Sequence, residues 1–106
     1  MNLRNIPSWL ETEVRNRDTH CIYCWIKFDN SKLQKKKNAT WEHIVNDETI
    51  ITRENISLCC FSCNASKGAK DLSNWLSSNY CKEKNITSEN ISPVAKQALI
   101  CPPTIS

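Results

Sequence analysis

Glycine is almost missing from this chain of 106 residues: there is one, Gly68, alongside four prolines. That scarcity leaves little room for a flexible, low-complexity linker, and with the short length it points to a single domain spanning residues 1–106. No apolar run approaches the roughly 20 residues that a membrane-spanning helix needs. The opening stretch MNLRNIPSWLETEVRNRD also lacks the apolar core of a secretory leader, so the expected location is cytoplasmic. Charge of one sign does not dominate. A formal net charge of +3 permits a polyanionic partner without requiring one. With 40% hydrophobic and 24% charged residues, the composition is that of a folded chain and excludes full disorder. Histidine is scarce too: there are two, and one of them, His43, sits beside Glu42 in the strand-like run ATWEHIVN.

Cysteine, by contrast, is plentiful, with seven. The odd count and the absence of a leader argue against a disulfide framework and for thiolates that hold a metal in a reducing interior. Four fall into two pairs at knuckle spacing, Cys21-Ile22-Tyr23-Cys24 and Cys60-Phe61-Ser62-Cys63. Two residues between thiolates let one tight turn aim both sulfurs at one ion, and two such turns complete a tetrahedral zinc shell. Four thiolates close the site, so this zinc is expected to be structural, supplying on the order of 10 kcal/mol to folding. Cys60 is preferred to its neighbour Cys59 only because of its spacing to Cys63. Cys81 and Cys101 have no partner at ligand spacing and are expected to be small buried residues. His20, next to the first knuckle, reads as a loop residue.

Along the chain, Ser8-Trp9-Leu10-Glu11 has capping-box form and predicts a helix from about Trp9 to Arg17. Residues 27–38 are polar and lysine-rich and read as a loop or irregular hairpin arm. Alternation predicts a strand from Thr40 to Val45, with Trp41, His43 and Val45 on one face and Glu42 and Ile44 on the other. Asn46-Asp47-Glu48 reads as a turn, and a short second strand is expected near residues 55–58. Leu72, Trp75 and Leu76 share helical spacing, which predicts a helix running through Gly68. Ser92-Pro93 predicts the start of a last helix, with serine as cap and proline at the first helical position. The fold class expected is α+β. If the knuckles fold the strand pair back onto the helix after Cys63, Glu42 and Asn64 converge as oxygen ligands suited to Mg²⁺ or Mn²⁺. His43, a neutral imidazole of ordinary pKa near 6.5, could then take a proton from a nearby water.

Taken together, RNRDTHCIYC, WEHI, NISLCCFSCNASKG and WL resemble the HNH endonucleases of the ββα-metal (His-Me finger) type, in their four-cysteine zinc-bearing form. The resemblance covers about Arg15 to Leu76, within an expected domain core of about residues 15–78. It implies a ββα-metal core stapled by the four-cysteine zinc site and flanked by N- and C-terminal helices. It also implies a metal-dependent DNA endonuclease or nickase acting on phosphodiester bonds. By the same resemblance His43 is the general base, Glu42 and Asn64 hold a catalytic Mg²⁺ or Mn²⁺, and Asn55 fixes the loop that carries the base. Lys67, one helical turn beyond Asn64, is expected to approach the phosphate. This chain departs from the family pattern in carrying glutamate rather than aspartate or histidine at position 42, and in lacking glycines between His43 and Asn55.

Lys27, Lys32, Lys35, Lys36 and Lys37 crowd a segment upstream of the site strand. Beside a phosphodiester site such a run serves as a backbone clamp for double-stranded DNA, extended by Lys67, Lys70, Arg15 and Arg17. No element spells out base reading, and a homodimer is left open. Two other readings compete. One is a zinc module that binds nucleic acid without cutting it, its HNH site degenerate. The other is a redox CxxC protein, which the lack of a βαβ context around either pair disfavours.

Overall fold

The computed structural model describes residues 6–28 and 37–104. In chain order the elements are helix α1 (Ser8–Arg17), strands β1 (Ala39–His43) and β2 (Ile56–Cys60), then helices α2 (Phe61–Lys67), α3 (Leu72–Trp75), α4 (Asn79–Lys84) and α5 (Pro93–Ile100). The result is a small α+β domain, with a two-stranded antiparallel sheet, several helices and a four-cysteine cluster. Among the described residues, no helix is long and apolar enough to cross a membrane.

α1 begins one residue earlier than its capping-box pattern suggests. Pro7, held extended at φ −60°, takes the cap position, and Ser8 becomes the first helical residue without acting as a cap. The helix opens with the Glu11 N–H donating to the Pro7 carbonyl. Leu10 and Val14, one turn apart, are fully buried against Ile56 and Leu58 of β2. Each such side chain contributes about 1.5–3 kcal/mol by leaving water. Trp9, on the outer face, lies exposed with the Arg53 guanidinium over its ring.

The strands pair with Ala39 opposite Cys60, Glu42 opposite Ser57 and His43 opposite Ile56. β2 is buried along its whole length, because α1 covers one face and the main core the other. That explains why Ile56-Ser57-Leu58-Cys59-Cys60 shows no polar alternation. It also extends β2 past the expected end at residue 58, up to Cys60. β1 stops at His43 rather than Val45, because Ile44 and Val45 leave the ladder to bond with Asn55.

The helix expected to run through Gly68 is two helices. Gly68 adopts φ +51° and ψ −129° after Lys67, a conformation open mainly to glycine, and it ends α2. α3 restarts at Leu72 and buries Leu72 and Trp75. α4 has no counterpart among the expected elements: Ser78 caps it by accepting from the Cys81 N–H, and Asn85 closes it in the left-handed region. α5 starts as expected, with Ser92 at the cap position and Pro93 in the first turn. Ile91, Ala95 and Ala98 join Tyr23, Ile44 and Trp75 in one core, so the C-terminal segment packs on the same body as the knuckles. Cys81 is buried as expected, whereas Cys101, just past the end of α5, is exposed.

Candidate metal centre and the Glu42–His43 site

The first knuckle is a tight loop closed by an isolated bridge between His20 and Lys27, with the Cys21 N–H donating to the Ile26 carbonyl. Trp25, directly after Cys24, takes the left-handed backbone at φ +66° that the turn requires. The second knuckle straddles the β2–α2 junction: Cys60 ends the strand and caps the helix, its sulfur accepting from the Cys63 N–H at 3.4 Å. The sheet register carries this junction to the first knuckle. The Ile22 N–H donates to the Leu58 carbonyl, and the Leu58 N–H to the Asp18 carboxylate.

The sulfurs of Cys21, Cys24, Cys60 and Cys63 all lie within 4.8 Å of one another. Cys24 and Cys60 stand 3.8 Å apart, far outside a disulfide bond. Four sulfurs placed about 2.3 Å from one ion stand about 3.8 Å from each other, so this separation matches the edge that a tetrahedral zinc shell would have. The donor set and spacing fit a metal such as zinc. Hydrogen bonding within the cluster separates the thiols: that from Cys21 holds Cys60 down to about 7, and Cys24 is lowered by Cys21 as well. Cys21 and Cys63 are raised, by Cys24 and Cys21 respectively. Cys59 is buried on the other side of the strand near Thr40, and burial raises its thiol; of the two neighbours, Cys60 is the one that joins the cluster. Tyr80, unremarked in the sequence, donates to the Cys63 sulfur at 3.3 Å and pairs with the Ser62 hydroxyl.

Asn55 is fully buried and closes the segment after His43. Its Oδ1 accepts from the Val45 N–H at 2.7 Å, while Nδ2 donates to the carbonyls of Val45 and Ile50. The Ile44 N–H donates to the Asn55 carbonyl. Asp47 makes the turn that glycines would otherwise make, accepting from both the N–H and the hydroxyl of Thr49. Those bonds hold its carboxyl below the usual range, with the charge of His43 adding a smaller pull.

α2 lies along β1, and its side chains meet the strand one turn apart. Asn64 Nδ2 donates to the Thr40 hydroxyl at 2.9 Å and to the Trp41 carbonyl at 3.0 Å. The second acceptor, a carbonyl, fixes the amide orientation, and Oδ1 keeps no donor among the described residues. Lys67 is 0% exposed, which removes it from any surface path for phosphate. Its ammonium lies 3.1 Å from Glu42 Oε2 and donates to the Ile44 carbonyl at 2.9 Å. Glu42 is 4% exposed, and the same Oε2 accepts from the Tyr23 hydroxyl at 2.7 Å. Burial raises the Tyr23 phenol well above its ordinary range, with the Glu42 charge adding to the effect. Both donors meet one oxygen, so Oε1 is left without a donor among the described residues. His43, 3% exposed, follows on the other strand face. The fold therefore brings Glu42, Asn64 and Lys67 to one strand–helix seam, flanked by His43 and Asn55.

The other basic residues expected on a DNA path divide. Lys35 and Lys36, with Lys32, lie outside the described residues. Lys37 is half-buried and Lys70 exposed, its ammonium donating to the Ser66 carbonyl. Arg17 is engaged with Asp18 and with backbone at Arg53 and Ile56, and Arg15 with Glu11 and the Trp41 ring. No protein-family model, no curated protein and no solved structure matches this chain.

Proposed function

We propose that the chain is a zinc-stabilised, metal-dependent DNA endonuclease or nickase of the HNH, ββα-metal type. The observation that carries this reading is the seam between β1 and α2. Asn64 is bonded to the carbonyl of Trp41, the residue directly before Glu42, and each of the two side chains retains one oxygen for an ion. Two neutral or anionic oxygens suit Mg²⁺ or Mn²⁺ better than a softer metal. When bound there, the divalent ion supplies stabilisation of charge on a phosphate oxygen and on the leaving 3′-oxygen. His43 takes the proton of the attacking water, and Asn55 holds the backbone at Val45 and Ile50 so that the imidazole keeps its position. The products are 5′-phosphate and 3′-hydroxyl ends. The ion held by the four cysteines is structural and takes no part in this chemistry.

A second reading has one observation in its favour. Glu42 and His43 are both almost completely buried, and Glu42 already has a cationic partner, as in a structural ion pair. A non-catalytic zinc module that binds nucleic acid would look the same at these residues.

Supercoiled plasmid separates the two. Incubated with Mg²⁺ or Mn²⁺, the wild-type protein is expected to give nicked or linear DNA. Loss of the general base in His43→Ala is expected to lower the rate about 100-fold or more. Retention of plasmid without cutting in any divalent metal would establish the binding module, and equal cutting by His43→Ala would remove His43 as base.

A further inference from the structure

Tyr23 stands inside the first zinc knuckle, between Cys21 and Cys24, and yet its hydroxyl reaches the carboxylate of Glu42 at 2.7 Å. The ring is fully buried edge-on against Trp75 at 4.9 Å between centroids. Its backbone N–H donates to the Cys21 sulfur at 3.5 Å, so the residue is anchored to the knuckle at one end and to the carboxylate at the other. Lys67 approaches the same oxygen from α2 and also holds the Ile44 carbonyl, on the far side of His43.

We propose that Tyr23 is a positioning residue: with Lys67 it fixes the Glu42 carboxylate, through Oε2, so that Oε1 faces the divalent ion, and it thereby links the zinc knuckle to the second metal site. This rests on the reading of Glu42 as an ion ligand given above. Glutamate carries an extra methylene and so an extra rotatable bond compared with aspartate, and a free carboxylate would sample several orientations. Two donors on one oxygen remove that freedom before the ion arrives. The phenol is the informative member, because it is neutral and can be removed without unpairing a buried charge. Hydrogen-bonding partners of metal ligands commonly govern affinity by 10- to 100-fold.

The test compares zinc-loaded wild type with Tyr23→Phe, which keeps the ring on Trp75 and deletes only the hydroxyl. Zinc content, melting temperature, Mn²⁺ dissociation constant by electron paramagnetic resonance, and plasmid nicking against Mn²⁺ concentration are all measured. A positioning role predicts unchanged zinc stoichiometry, a Mn²⁺ dissociation constant about tenfold weaker, and nicking that recovers at saturating Mn²⁺. A merely structural hydroxyl would lower the melting temperature and leave the Mn²⁺ constant within twofold of wild type, which overturns the proposal. Wild type that nicks and binds Mn²⁺, with Tyr23→Phe indistinguishable from it, sinks the positioning role alone. Wild type that neither binds Mn²⁺ nor nicks sinks the endonuclease reading, and this proposal falls with it. If Tyr23→Phe fails to load zinc, fluorotyrosine-labelled wild type answers by ¹⁹F resonance, with Tyr80→Phe assigning the two signals. Added Mg²⁺ moves the Tyr23 signal if the phenol is bonded to the ligand carboxylate, and a signal that stays fixed overturns the proposal.

Discussion

The buried cation at Lys67 shows how one side chain can be misplaced by its type. Lysine is almost never fully buried unless paired, and the pairing here comes from a residue 25 positions earlier, across the strand–helix seam. Glu42 could not be buried alone either, since an uncompensated carboxylate in the core is costly. The pair is held by one further donor to Glu42 and one further acceptor for Lys67, Tyr23 and the Ile44 carbonyl. Breaking it is therefore expected to be expensive. Lys67→Met should lower stability by about 3–5 kcal/mol, the usual cost of leaving one member of a buried pair. Chemical denaturation monitored by tryptophan fluorescence would measure it. A cost near zero would mean that Lys67 is exposed in solution and available to a phosphate after all. The size of the effect separates the two accounts, because a surface lysine replaced by methionine shifts stability by no more than about 0.5 kcal/mol.

At the scale of elements, the break at Gly68 decides where α2 ends and hence which residues face β1. The glycine has open space around its α-carbon, so a methyl group would meet nothing, but its φ of +51° with ψ of −129° strains any L-residue. Gly68→Ala is thus predicted to destabilise by about 1–2 kcal/mol without any clash, by way of the backbone alone. Thermal unfolding would register this as a drop of several degrees for a domain of this size. An unchanged melting temperature would show that the turn readjusts. The same element explains what could be read in advance. Knuckle spacing is local, so the four cysteines that cluster, including Cys60 over Cys59, were legible from three-residue offsets. Asn55 and Asn64 were legible only through a motif, because their bonds to Val45, Ile50 and Trp41 join segments 5–23 residues apart. α4 was not legible: its six residues are too few for periodicity, and it rests on a serine cap and a left-handed asparagine. The part played by Tyr23 was hidden for a different reason. Spacing locates a residue in a turn but does not say which way its side chain points.

For the whole molecule, the two hydrophobic clusters meet at β2, and the cysteine cluster joins β2 and α2 to the loop after α1. A chain of this length buries a comparatively small core, so a zinc ion held by the four cysteines would contribute on the order of 10 kcal/mol, comparable to the total stability of a small domain. Chelation of the metal is expected to unfold the protein, with loss of near-ultraviolet dichroism and of the melting transition. Acid should do the same by protonating the ligands. A thiol bound to zinc has a depressed effective pKa relative to about 8.5 in the unfolded chain, so its contribution is complete above that value and fades as pH falls. The zinc-loaded protein should therefore melt progressively lower from about pH 8 towards pH 5, releasing one zinc per chain to a colorimetric indicator. A melting temperature flat across that range, or unaltered by chelator, would show that packing alone holds the sheet, the knuckles and the Glu42 seam together.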